Sequence, residues 1–197
     1  MAEVNEEIAK AYFEEVCGYM IKQDHYFKKT SQKSHARGGV GPSDIDLLIM
    51  HPRDEGIYGI RAMVSVKGWH GYCLTEKNCQ NNEKWTKGFE KQDLNAAESF
   101  FGTKDFNKIL VVPRVDEKER AFIEQYVKRN KGIDYLLGFP FMLNELSKKI
   151  EQSSRYYKES ESLQTLAVSH KYSIKPLLKE NQQLKKTIEK LRKKYEI

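Results

Sequence analysis

The sequence predicts an α/β protein with a mixed central sheet flanked by helices, and three observations predict it. The first is a pair of strand patterns, DIDLLIMH at 44–51 and IRAMVSVKG at 60–68, separated by the turn-forming PRDEGIYG. The second is KILVVP at 108–113, a continuous apolar run of the kind a strand buried on both faces requires. The third is the alternation of that run and a further one, IDYLLGF at 133–139, with helical patterns, which calls for crossovers between neighbouring strands.

The elements follow in order. Residues 5–19 read as a helix, since Ile8, Ala11, Tyr12, Val16 and Tyr19 recur at threes and fours and Gly18 stands near the stop. A short strand is expected at 19–21. The stretch 28–43, KKTSQKSHARGGVGPS, is polar, basic and glycine-rich without periodicity, and is expected to be a mobile loop. The two hairpin strands come next, followed by an ambiguous segment at 69–82. Residues 83–101 are expected to form one helix, with Trp85, Phe89, Leu94, Ala97 and Phe101 loosely on one face. A helix at 116–130 has an acidic first turn that suits the helix dipole, and another is expected at 141–152. Beyond a polar link at 153–161, residues 162–172 are expected to be helical, and Pro176 opens a last helix. This organisation divides the chain into a domain at 1–152 and a helical extension at 153–197.

Composition bounds the function. A chain of 197 residues accommodates one domain and an appendage, and buries a core without disulfide staples. Hydrophobic content of 39% with 31% charged residues suits a globular protein of the cytoplasm. No apolar run reaches the ~18 residues that span a bilayer, and MAEVNEEIAK lacks a signal-peptide pattern, so no membrane partner is expected. Three cysteines, an odd number, suit a reducing compartment. His70 lies near Cys73 and Cys79, but the spacing is not that of a zinc finger and no fourth ligand stands out, so ordinary thiols are the preferred reading. The net charge of +6 sits entirely in 171–197, which holds nine basic and three acidic residues. Binding of a polyanion by the globular part would therefore need local clusters of positive charge.

One constellation carries chemistry. Asp44 and Asp46 share one face of a strand that begins just after a Gly/Pro-rich loop. The hairpin brings Lys67, at the end of the second strand, beside the start of the first. A carboxylate next to an ammonium at a strand end suits metal-assisted phosphodiester cleavage. The carboxylate would hold Mg2+, and the amine would orient water or offset developing charge. Singly, an Asp at a strand start is a turn residue and a Lys at a strand end an edge device; it is their combination that points to a site. Lys28, Lys29, Lys33 and Arg37 in the preceding loop form a candidate phosphate-contacting arm. Trp69 and His70 are candidates for stacking on nucleic acid, with core packing an equal alternative for Trp69.

The helix EEIAKAYFEEVCGY, the loop GGVGPSDIDLL and the strand VSVKG together resemble the PD-(D/E)xK nuclease superfamily, especially archaeal-type Holliday-junction resolvases and Mrr-type restriction endonucleases. The resemblance covers roughly the first 115 residues. It implies a restriction-endonuclease-like fold, a Mg2+ or Mn2+ cofactor with no small-molecule cofactor, and DNA as partner. It also implies that Asp46 binds metal, that Lys67 is the catalytic lysine and that Glu7 is a helical metal ligand. The family's second acid, two residues before the lysine, is Ser65 here, so either another carboxylate serves (Asp44, or Glu83 or Glu90 on the following helix), or metal affinity is weak, or activity is gone.

From Ile174 onward a heptad places Ile174, Asn181, Ile188 and Tyr195 at a, with Leu177, Leu184 and Leu191 at d. This leucine-zipper-like segment at 174–195 favours a parallel two-stranded coiled coil, and hence a homodimer. Packing of the helix on its own domain is the plainer alternative. The expectation is a metal-dependent DNA endonuclease. Its rivals are a catalytically degenerate nuclease-fold module that binds DNA or a protein partner, and an enzyme acting on RNA.

Overall fold

The computed structural model describes residues 2–27, 43–53, 55–68, 73–81, 83–152 and 183–189. The chain divides into two compact units, Met1–Leu146 and Ser147–Ile197. In order, the first unit runs α1 (Ala2–Ala11), a π turn (Tyr12–Val16), β1 (Met20–Phe27), β2 (Ser43–Met50) and β3 (Arg61–Val66). Then come α2 (Glu76–Asn81), a 3-10 turn (Glu83–Thr86), α3 (Lys91–Phe101), β4 (Asn107–Val112), α4 (Arg120–Lys131), β5 (Tyr135–Gly138) and α5 (Phe139–Gln152), whose residues from Ser147 on are counted with the second unit.

The five strands form one mixed sheet in the order β1-β2-β3-β4-β5. The pairs β1–β2 and β2–β3 are antiparallel, whereas β3–β4 and β4–β5 are parallel. The sheet changes sense at β3, because the connection at 51–60 closes a hairpin with Met50 opposite Arg61, while α2 and α3 supply a crossover to β4. The α/β class and the sheet flanked by helices agree with the sequence reading.

Alternation assigns the faces. Leu48 stands opposite Met63, and both bury with Ala97 of α3. Leu110, Val112 and Leu136 pack with Cys79 of α2 and with Ile123 and Val127 of α4. Helices α2, α3 and α4 therefore cover one face. On β3 the two-residue period puts Ser65 and Lys67 on the face of Met63, and the Asp46 carboxylate of β2 meets the Ser65 hydroxyl there. The other face carries Leu47, Ile49, Val64, Ile109 and Val111, all fully buried. There Tyr135, opposite Ile109, meets the Tyr58 ring at 5.1 Å, and Tyr58 meets Phe13 at 5.6 Å. The π turn thus lies over this second face with α1, which packs against β2 and β3.

Four elements differ from the expected ones, and one is α4, which begins at Arg120 and not at 116, so that its first turn carries no acidic residue. The first helix is not continuous to residue 19. It widens at Tyr12–Val16, where Cys17 N–H bonds to the Tyr12 carbonyl at 3.2 Å, and it ends at Gly18 with φ 75°. The widened turn buries Tyr12 and Phe13 side by side, and Tyr12 shares a 2.7 Å hydroxyl hydrogen bond with Tyr58. β1 is longer than 19–21. The expected helix at 83–101 is a 3-10 turn followed by α3, broken around Gly88, whose φ is 106°. The loop at 28–42, Trp69 and His70, and the expected helix at 162–172 lie outside the described residues. In the second unit, residues 183–189 are helical, with Leu184 and Ile188 exposed. Among the described residues no helix is long and apolar enough to cross a membrane.

Candidate active site

The site is made where the hairpin strands part. Their last paired residues at this end are Leu47 and Val64. One step further, the Asp46 carboxylate takes over from the backbone ladder: its Oδ2 accepts from Val66 N–H at 2.6 Å and from the Ser65 hydroxyl at 3.2 Å. On the other side of β3, Lys67 N–H continues the parallel ladder to the Val111 carbonyl at 2.9 Å. The base of the Lys67 side chain is thereby fixed from the sheet itself. Its ammonium donates to Ser65 Oγ at 2.7 Å and to the Lys87 carbonyl.

These groups line a recess of about 180 Å³ together with Gly88 and Asp93. Asp93 is only 2% exposed and belongs to the first turn of α3, where its carboxylate accepts from Glu90 N–H at 2.9 Å in a capping box. The Lys67 amine is held below the usual lysine range. Burial, the larger influence, disfavours its charge and Lys87 adds repulsion, while Asp46 and Asp93 oppose the shift.

The structure brings Asp46, Ser65 and Lys67 together. Asp44 lies two residues earlier on β2, opposite Tyr26. Glu7 stands on α1, over the opposite face of the sheet, and is not among the residues lining the recess. Lys28, Lys29, Lys33 and Arg37 lie outside the described residues. Asp93, Lys87 and Gly88 were not foreseen as site residues. The signals for two of them are plain in retrospect: an isolated glycine inside a helical pattern, and an acidic residue three places after a helix start.

The donor set suits a hard, sparsely ligated cation. Among the described residues no three His, Cys, Asp or Glu side chains converge as a metal cage. Two carboxylates on one recess match Mg2+, which keeps most of its water and takes one or two protein carboxylates. A zinc site at the cysteines fares worse. Cys79 is a core residue beside Leu110 and Trp85. An amine 2.7 Å from a hydroxyl also suits a serine nucleophile with a lysine base. Ser65, however, is only 3% exposed, and its hydroxyl is engaged with Asp46 as well as with Lys67.

No family model, curated protein or solved structure matches this chain.

Proposed function

We propose that this chain is a metal-dependent DNA endonuclease of PD-(D/E)xK type and restriction-endonuclease-like fold, with Mg2+ or Mn2+ as cofactor. The observation that carries the reading is the meeting of Asp46, Asp93 and Lys67 around one recess at the open end of a hairpin. Asp46 and Asp93 would hold the ion, which supplies an activated water and screens the phosphate charge. Val66 N–H and the Ser65 hydroxyl keep the Asp46 carboxylate aimed. Lys67 stabilises charge that develops on the phosphate, and its burial keeps water from screening that interaction. Lys28, Lys29, Lys33 and Arg37 would grip the DNA backbone. The C-terminal heptad would pair two copies so that two sites face two strands. The exposed Leu184 and Ile188 support that pairing.

The test is cleavage of supercoiled plasmid, single-stranded DNA and a four-way junction with Mg2+ or Mn2+, using wild type, Asp46→Asn and Lys67→Met. Cleavage that both substitutions abolish supports the reading. Cleavage that neither affects overturns it. In Glu7→Gln, unchanged Mn2+ affinity restricts ligation to Asp46 and Asp93, and a loss adds α1 to the site.

Ser65 favours a second reading, a nuclease-like module without catalysis that binds DNA or a protein. Such a module would bind Mn2+ no better than its Asp46→Asn variant does by calorimetry.

A further inference from the structure

Lys67 has a partner that neither hairpin strand supplies. Between the 3-10 turn and α3 the backbone passes over the end of β3, and the Lys87 carbonyl accepts from the Lys67 ammonium. The Ser65 hydroxyl lies 3.4 Å from the same carbonyl. The next residue, Gly88, has φ 106°, a conformation that side-chain-bearing residues rarely adopt. A Cβ at Gly88 would fall 2.6 Å from Ser65 Oγ, 3.3 Å from Ser65 Cβ and 3.5 Å from Lys67 Nζ. The approach is possible only because position 88 has no side chain and position 65 has a short one. A carboxylate-bearing side chain at 65 would reach into the volume that this turn fills.

We propose that the Lys87–Gly88 turn is the positioning element for Lys67, and that Gly88 and Ser65 are a matched pair that lets it close. The Lys87 carbonyl and the Ser65 hydroxyl fix two of the three N–H directions of the ammonium, so the third is fixed as well. A backbone carbonyl thereby does the orienting that a side-chain acid at position 65 would do. Lys87 and Gly88 touch no substrate in this scheme; they act through Lys67. The inference rests on the nuclease reading only for what the oriented amine acts upon.

The experiment follows Lys67 itself. The full-length chain is labelled briefly with an acylating reagent at mildly alkaline pH, and the rate at each lysine is read by peptide mass spectrometry. A parallel NMR titration uses lysine labelled with carbon-13 and nitrogen-15. With each rate divided by the free-amine fraction that the titration gives, since a lowered pKa alone speeds acylation, Lys67 in wild type should react at least about tenfold more slowly than the exposed Lys104, the factor that one charge-assisted hydrogen bond supplies. Gly88→Ala should raise the Lys67 rate about tenfold and move its titration, while Lys104 stays constant. Ser65→Ala, which removes an acceptor without adding volume, should raise the rate in the same direction and serves if Gly88→Ala does not fold. Equal rates at Lys67 and Lys104 in wild type, or an unchanged Lys67 in Ser65→Ala, would overturn the inference whatever the DNA assays give. Slow labelling in a wild type that cleaves no DNA would uphold the turn and remove the nuclease.

Discussion

Asp46 serves both the fold and the proposed chemistry, and two substitutions separate these contributions. In Asp46→Ala, Val66 N–H loses a 2.6 Å acceptor and the Ser65 hydroxyl a 3.2 Å one, at the point where the β2–β3 ladder has no backbone carbonyl to offer. Leaving a part-buried donor without its acceptor costs about 1–3 kcal/mol. In a chain of this size each kcal/mol lowers Tm by about 2–4 °C. In Asp46→Asn the amide oxygen still takes the Val66 N–H. The loss is then the difference between a charge-assisted and a neutral bond, about 1 kcal/mol before discounting for partial exposure. Both variants lack the carboxylate charge that would hold a metal. Cleavage should fall by at least the roughly 10–100-fold that loss of a mere outer partner costs at metal sites. Thermal melts and plasmid cleavage on the two proteins measure this directly. An Ala variant that melts with wild type would refute the ladder-completing role, and an Asn variant that cleaves like wild type would refute the metal role.

The structure makes four further predictions. Because the Lys67 amine loses its proton below the usual lysine range, a rate that needs the ammonium should fall as alkaline pH passes through that lowered value. Lys67→Arg, which keeps its proton, should push the falling limb to higher pH even if the maximum drops. The matching stability effect has a definite sign. A lowered amine pKa is a penalty at every pH below it, relieved as pH rises towards the unfolded value, so Lys67→Met should gain on wild type in urea melts near about pH 7 and lose that advantage near about pH 10. Asp93→Ala should cost about 1 kcal/mol through the lost cap of α3 and weaken Mn2+ binding measured by calorimetry; unchanged Mn2+ affinity would leave Asp93 as a cap alone. Leu184→Asp with Ile188→Asp should convert a sedimenting dimer to monomer without changing the melting of the first unit, and an unaltered sedimentation coefficient would end the zipper proposal.

What the sequence revealed depended on how local each signal was. The hairpin strands and KILVVP announced themselves because turn residues and apolar runs lie within one element, and the hairpin brings Asp46 and Lys67 to one recess. β1 was harder to see, since MIKQDHYF is an edge strand with a largely polar sequence. The break in the helix at 83–101 turned on one residue: Gly88 lies inside a helical pattern in the sequence, and it is the point where backbone meets Ser65. Trp85, assigned to that helix's apolar face, lies instead in the cluster of β4, α2 and α4. Asp93 was hidden for the same reason, because its place in the recess follows from where the turn delivers α3. Glu7 had its spacing on the first helix as the only local signal. A helix position gives a residue a side of the helix, and which side of the sheet that helix covers is decided by packing.

Strand β3 is hydrogen-bonded along both sides, to a hairpin neighbour and to a strand that arrives only after two intervening helices. Slipping it by one residue would send Ser65 and Lys67 to the wrong side and would have to break two ladders at once. The proposed chemistry therefore has no half-built form. A nascent or truncated chain that stops before β4 keeps the hairpin but lacks the bond from Lys67 N–H to Val111 that holds the amine's backbone. Because distant pairings of this kind close late in folding, reactivity at Lys67 should report that the whole sheet has assembled.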